Sequence, residues 1–290
     1  MEPVFRHFGV RNGANCIFLS EDSIIIGSAM GDVEILDTET FLKISTVYSD
    51  PEMRACQSIY LSSSGRLCIQ IRNFGILIFQ NISGKQWEEV QFIEMNHVGF
   101  CNFLIFEEKL IYVSQNSKGR SIICCEDGRK LEIDEVTPMH LSSFSDRIIL
   151  GSEDGKIRII QDFKVISEIQ PVKDTVFCTS VNENGEIACG YSKSPIIIIR
   201  NDFSTSDFEE LHYPQTSSGC SSLQFSPNSK QLLAGFWDGT IRVFSIQKLK
   251  ILLVISNAHS NTVTGLVWKN KRECLSCSTD STIAVWNFEK

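Results

Sequence analysis

The sequence has no apolar run long enough to cross a bilayer. Its longest stretches, such as residues 195–199 and 251–255, hold about five residues where about twenty are needed. No basic segment followed by an apolar run stands at its start, which argues against a secretory signal. Positive charge is in the minority, 27 Lys and Arg against 35 Asp and Glu, for a net charge of −8. That balance argues against direct nucleic-acid binding, which needs cations concentrated on one face. The 5 histidines are scattered and form no ligand cluster. No GxSxG elbow, HExxH helix or phosphate-binding P-loop occurs. No catalytic residue, metal site or cofactor is therefore expected, and no membrane partner.

Cysteine is abundant but not arranged as a framework. There are 11, an odd number. Cys16, Cys68, Cys101, Cys124, Cys178, Cys189 and Cys277 fall in segments that read as strands. They are expected to be buried free thiols in a reducing compartment. Cys274 and Cys277 form a lone CxxC without the second Cys or His pair that zinc requires. Strand alternation would point these two to opposite faces.

What the chain does have is one short pattern repeated from end to end. Its clearest copies are residues 146–161 (DRIILGSEDGKIRIIQ), 230–245 (KQLLAGFWDGTIRVFS) and 272–288 (RECLSCSTDSTIAVWNF). Each reads as an apolar strand, a polar turn with Gly or Asp, and a second apolar strand. The first apolar residue after the turn recurs at Val33, Ile76, Ile122, Ile157, Ile196, Ile241 and Ile283, about 42 residues apart. An upstream strand precedes each unit, for example at residues 16–20, 58–62, 102–106, 140–144, 178–182, 222–226 and 265–269. A fourth strand is expected after each, for example at 41–47, 163–169 and 250–255. Seven such units predict an all-β, seven-bladed propeller in which residues 1–290 form one domain. The last unit lacks a fourth strand. Residues 3–8 are expected to supply it and so to close the ring, removing the exposed edges of an open array.

Two polar stretches interrupt the pattern. Residues 201–218 carry Asp207, Glu209 and Glu210, followed by His212 and Tyr213. They are read as a solvated connection with a short outer strand, or as a rim loop for a basic partner. Residues 86–95 are read as the outer strand of the second blade.

The last repeat carries His259, Ser276, Asp280 and Trp286 at successive positions of loop, strand, turn and strand. In this arrangement it resembles the WD40 repeat family. The resemblance implies that these four side chains form a hydrogen-bonded structural tetrad rather than a catalytic one. Other blades depart from the pattern. Blade six keeps Asp238 but has Phe244 in the Trp position, blade four has Asp154 with Ile160, blade one has Met30 for Asp and blade two Asn73. The resemblance also implies a partner surface on the top face at the residues just before each turn Asp. These are Ala29, Arg72, Glu153, Lys193, Trp237 and Thr279, of which Trp237, Arg72, Glu153 and Lys193 are the candidates for partner binding. Phe236, beside Trp237, is expected to face the core.

A narrower likeness lies in residues 235–244 (GFWDGTIRVF), in Ala258-His259-Ser260 after a Leu-rich strand, and in the opening Pro3-Val4-Phe5-Arg6. There the chain is similar to the WD40 subfamily of G-protein β-subunit-like protein 1 and its fungal ASTRA-associated counterpart. That implies a non-catalytic adaptor, monomeric within a larger complex, in the nucleus, the cytoplasm or both. It would work with the Tel2-Tti1-Tti2 chaperone assembly and its client PI3-kinase-like kinases. The alternatives are a WD40 scaffold of another complex, a ubiquitin-ligase receptor or a trafficking protein, and a propeller hydrolase.

Overall fold

The computed structural model describes residues 1–83, 86–96, 99–133, 136–200, 208–214 and 218–288. Among the described residues all regular structure is β, in seven four-stranded antiparallel sheets. Blade one runs Ala14–Leu19, Ser23–Ser28, Asp32–Asp37 and Lys43–Ser49 from the inner strand outward. Blade two is Cys56–Leu61, Arg66–Ile71, Gly75–Ser83 and Gln86–Glu94. Blade three is Leu104–Phe106, Lys109–Gln115, Ser121–Cys125 and Lys130–Ile133. Blade four is Pro138–Phe144, Arg147–Ser152, Ile157–Gln161 and Lys164–Ile169. Blade five is Cys178–Val181, Ile187–Gly190, Ile196–Ile199 and Glu209–Leu211. Blade six is Cys220–Phe225, Gln231–Phe236, Ile241–Ser245 and Lys250–Ile255. Blade seven is Val263–Trp268, Glu273–Ser278 and Thr282–Asn287, with Phe5–Phe8 as its outer strand.

The seven marker residues all fall in third strands, so the repeat spacing read from the sequence is the blade spacing. The expected fourth strands sit slightly downstream of their sequence positions where a turn intervenes. Phe41 and Phe163 adopt φ of 57° and 56°, and the strands begin at Lys43 and Lys164. The inner strand of blade three is shorter than expected. It starts at Leu104, and before it the Asn102 side-chain amide bonds the main chain of Leu141 in blade four, at 2.8 and 3.0 Å. Residues 201–207 and 215–217 of the long polar stretch lie outside the described residues, and Glu209–Leu211 is the short outer strand expected there.

Ring closure joins the two ends of the chain. Phe5 pairs with Val285, Arg6 with Ala284, His7 with Ile283 and Phe8 with Thr282. Phe5 also stacks on Phe41 of blade one, ring centroids 4.3 Å apart. Arg6 donates through Nη2 to the Ala258 carbonyl at 2.8 Å.

The core lies between blades, and this explains the composition of the strands. Each sheet is covered on both faces, so second and third strands read as near-continuous apolar runs rather than alternating ones. In Ile196–Ile199 all four side chains are buried. Ile196 and Ile198 pack with Leu223, Ala234 and Phe236 of blade six, while Ile197 and Ile199 pack with Ile149, Ile157 and Ile159 of blade four. The CxxC obeys the same alternation. Cys274 packs with Leu233 and Val243 of blade six, whereas Cys277 packs with Ala14 and Ile26 of blade one. All 11 cysteines are free, and all but Cys16 are fully buried.

Candidate functional site

The turns before the third strands and the starts of the inner strands share one end of the ring, the top face. A repeated main-chain bond holds them together. The N–H groups of Ala29, Arg72, Glu153, Trp237 and Thr279 donate to the carbonyls of Gly13, Ala55, Thr137, Gly219 and Thr262, at 2.9 to 3.1 Å. Each acceptor precedes the inner strand of the same blade. Five of the six top-face positions read from the sequence are thus structurally equivalent. Lys193 stands outside this pattern, exposed and 3.5 Å from Asp174.

Inside the ring of inner strands runs a channel of about 820 Å³. Arg72 and Trp237 both line it, while Glu153 is exposed on the same face away from the channel wall. The structure therefore brings together two of the four candidate partner residues. Trp237 is 37% exposed. Its indole crosses Gly219, where an added Cβ would lie 2.8 Å from the ring, and meets the edge of Phe177 at 5.3 Å between centroids. Trp237 is thus both an interblade contact and a surface aromatic. Phe236 beside it is fully buried, as strand alternation requires. Arg72 lies flat over Phe100, its guanidinium carbon 3.9 Å from the ring centroid, and Phe100 is 60% exposed.

The channel wall is polar without being charged. Among the described residues that line it, there is no Asp or Glu, and Arg72 is the one formal charge. His140 also lines it, but burial pushes its imidazole down to about 4, so it is neutral near pH 7. Its Nδ1 accepts from the Thr179 main-chain N–H at 3.4 Å, which places the ring proton on Nε2. Thr179 Oγ1 lies 2.9 Å from the same nitrogen, and Ser142 Oγ lies 2.9 Å from Thr179 Oγ1. This chain of hydroxyls ends on an imidazole with no carboxylate in the wall to stabilise its protonated form. It lacks the third group of a nucleophile–base–orienter set.

Two thiol pairs occupy equivalent steps of the wall. Cys16 and Cys56 bring their sulfurs to 3.7 Å between blades one and two, and Cys178 and Cys220 to 3.8 Å between blades five and six. Gly27 and Gly190 make room for them, since a Cβ at either would come within 2.6 Å of a sulfur. The neighbouring Cys56 thiol and burial raise Cys16, and burial together with Cys220 raises Cys178, so both stay protonated. Among the described residues no group of three or more His, Cys, Asp or Glu could share a metal ion.

The second site read from the sequence, in blade seven, forms a network with one direction of donation. Trp286 Nε1–H donates to Ser276 Oγ at 2.8 Å, and Ser276 donates to His259 Nε2 at 2.7 Å. His259 Nδ1–H then faces Asp280 Oδ2 at 3.2 Å and Thr282 Oγ1 at 2.8 Å. The Asp280 carboxylate also accepts from the Ser260 N–H at 2.9 Å and from Thr282 Oγ1 at 2.6 Å. Burial raises the Asp280 carboxyl, but these donors outweigh it and hold it below its ordinary value. Burial pushes His259 down to about 4, against the raising effect of Asp280. Four of these five groups were legible in the sequence. Thr282 was missed, although its place two residues after the turn Asp was the available signal.

Comparison with known proteins agrees with this architecture. The family model "WD domain, G-beta repeat" matches residues 209–245 and 250–287. Each match runs from the outer strand of one blade through the third strand of the next. The fold is similar to the crystal structure of the WD40 β-propeller domain of Doa1, with a TM-score of 0.84 at 15% identity over 99% of this chain and 97% of that one. No curated protein sequence matches the chain. The chain is thus a seven-bladed β-propeller, and its residues 209–245 and 250–287 match the WD40 repeat.

Proposed function

We propose that this protein is a non-catalytic adaptor that holds a protein partner at the top mouth of its channel, with Trp237 and Arg72 at the centre and Glu153 and Lys193 at the periphery. The observation that carries this reading is the aromatic and cationic mouth. Phe100 is exposed against Arg72 and Trp237 is exposed across the same opening, residue types in which interfaces concentrate their binding energy. Solitary exposed apolar residues are ordinary on a surface, but two aromatics and an arginine around one opening form a binding feature.

The finer assignment rests on residues 235–244 and their sequence likeness to the G-protein β-subunit-like and ASTRA-associated proteins. On that basis the partner is a Tel2-Tti1-Tti2-type scaffold, and the role is maturation and stability of PI3-kinase-like kinases, in nucleus, cytoplasm or both. Affinity purification of the tagged chain from its own cells, with and without Trp237→Ala, tests both levels. Recovery of Tel2-Tti scaffolds or PI3-kinase-like kinases, reduced by the substitution, supports the full reading. Recovery of a different complex in a Trp237-dependent way retains the adaptor and removes the assignment. Capture that is indifferent to Trp237 removes the top-face mouth as the site. Depletion supplies an independent readout: kinase protein levels should fall while their transcripts do not.

A further inference from the structure

Two buried hydrogen-bond donors in the channel wall have no acceptor among the described residues. They are Arg72 Nε and Gln57 Nε2, both in blade two. The Arg72 main chain is bonded to Ala55, two residues before Gln57, so the two side chains issue from adjacent points of one sheet. Most buried polar groups find partners, so an orphaned donor calls for an explanation, and an acceptor brought in from outside the chain is one. Other arginines of this chain meet carboxylates. Arg54 meets Asp50, Arg66 meets Glu126, Arg129 meets Asp127 and Arg158 meets Asp154. Arg72 has no ion pair among the described residues, in a protein whose acidic groups outnumber its basic ones by 35 to 27.

The stacking of Arg72 on Phe100 sets which face of the guanidinium is available. A ring against its flat side fixes the plane and leaves the in-plane N–H groups to bind edge-on. That edge matches the two oxygens of a carboxylate. Across the mouth, three blades away, Phe177 and Trp237 form an apolar step. With no carboxylate in the described wall, nothing there repels an incoming anion, and hydroxyls and amides satisfy the main chain that would accompany it.

We infer that the channel mouth receives an acidic peptide segment, one Asp or Glu side chain on Arg72 and Gln57 and a neighbouring apolar side chain on Phe177 and Trp237. This deepens the adaptor reading above and rests on its choice of face. The geometry selects a peptide over a free anion because the donor pair in blade two and the apolar step of blades five and six face each other across one mouth, and successive side chains of an extended segment point opposite ways.

The test is selection of a phage-displayed random dodecapeptide library on the intact protein, followed by affinity measurement of the winning synthetic peptides. The expected result is enrichment of Asp or Glu next to an aromatic or aliphatic residue. Affinity should fall roughly tenfold or more with Arg72→Gln, the scale of one lost charge-assisted bond. It should fall less with Gln57→Leu, and it should weaken with added salt. Arg72→Lys keeps the charge but not the planar edge and should recover only part of the loss. Lys271→Gln, remote on the surface, should leave affinity unchanged. Circular dichroism of each variant separates lost binding from lost fold. Winners without an acidic residue, no winners, or acidic winners indifferent to Arg72→Gln would overturn the inference. So would displacement of the peptide by submillimolar inorganic phosphate, which would mark a simple anion site. If acid-free winners still depend on Trp237, the adaptor face stands and only its acidic specificity falls. If binding responds to neither residue, both readings fall.

Discussion

Blades four and seven face the same mechanical problem, pinning the turn between second and third strands to the sheet, and solve it with different chemistry. Blade seven uses the neutral chain from Trp286 through Ser276 to His259, ending on Asp280. Blade four has Ile160 where the Trp would stand and uses a charged cluster instead. Arg158 donates to Ser152 Oγ at 2.7 Å, to Asp154 Oδ2 at 2.7 Å and to Glu168 Oε1 at 2.9 Å. Arg158 is only 5% exposed, so its charge is acceptable because all of these acceptors surround it. Blade one, with Met30 in the Asp position, turns to a third device. Its buried Asp50 accepts from Tyr48 and two nitrogens of Arg54, at 2.8 to 3.0 Å. These three blades thus each carry a satisfied polar anchor at the top face, built from different residues.

The comparison can be broken most forcefully at Trp286. It is fully buried, so Trp286→Ala should cost about 3–5 kcal/mol through the cavity and the loss of the Ser276 donor, read by urea unfolding. An equal tolerance in blade seven and at exposed sites would show that the network is incidental. Acid should come next. His259 titrates at about 4 in the folded chain against about 6.5 unfolded, so the unfolded state takes up the proton first. Its contribution is full above about pH 6.5 and declines as pH falls toward 4, by about 3 kcal/mol. His140, also near 4, adds to the same window. Asp154 is held below its ordinary value, because Arg158 outweighs the raising effect of burial. Its contribution therefore persists until pH falls below the normal Asp range, later than that of the histidines. Denaturation midpoints from about pH 7.5 to about 2 should show this order, and His259→Asn should flatten the upper part of the curve.

Arg158→Met sharpens the contrast. It removes the charge with similar volume and should cost about 1–2 kcal/mol, with a smaller loss at 1 M salt, because Asp154 and Glu168 can return to water. The smallest effect is expected at Trp237→Ala. Its edge contact with Phe177 is worth about 1 kcal/mol. The melting temperature should therefore drop by a few degrees at most, in contrast to the loss of partner capture. A drop as large as that of Trp286→Ala would assign Trp237 to the core.

The fold was legible because its information is local. Alternation, turn residues and the recurrence from Val33 to Ile283 each involve neighbours in sequence, and they gave seven third strands at their observed places. The same is true of the blade-seven network, whose members lie within 28 residues, from His259 to Trp286. What escaped the reading was set by longer-range competition. The Asn102 side chain bonds the main chain of blade four, and Arg158 proves to be an anchor only once Glu168 of the neighbouring strand is paired beside it. The top-face positions were found by equivalence between repeats, but equivalence did not distinguish Arg72 and Trp237, which reach the channel, from Glu153, which does not.

The sequence by itself determined the number of blades, the strand order within each and the closure of the last by the first strand. Short apolar runs bounded by turn chemistry suffice for that, and each repeat carries them independently. Only the tertiary structure decided the composition of the channel mouth. Gln57, Arg72, Phe100, Phe177 and Trp237 are far apart in the chain and share no local pattern. They meet because seven sheets packed face to face turn their inner strands toward one axis. Small steps such as Gly219 beneath the Trp237 ring then fix which side chains reach it.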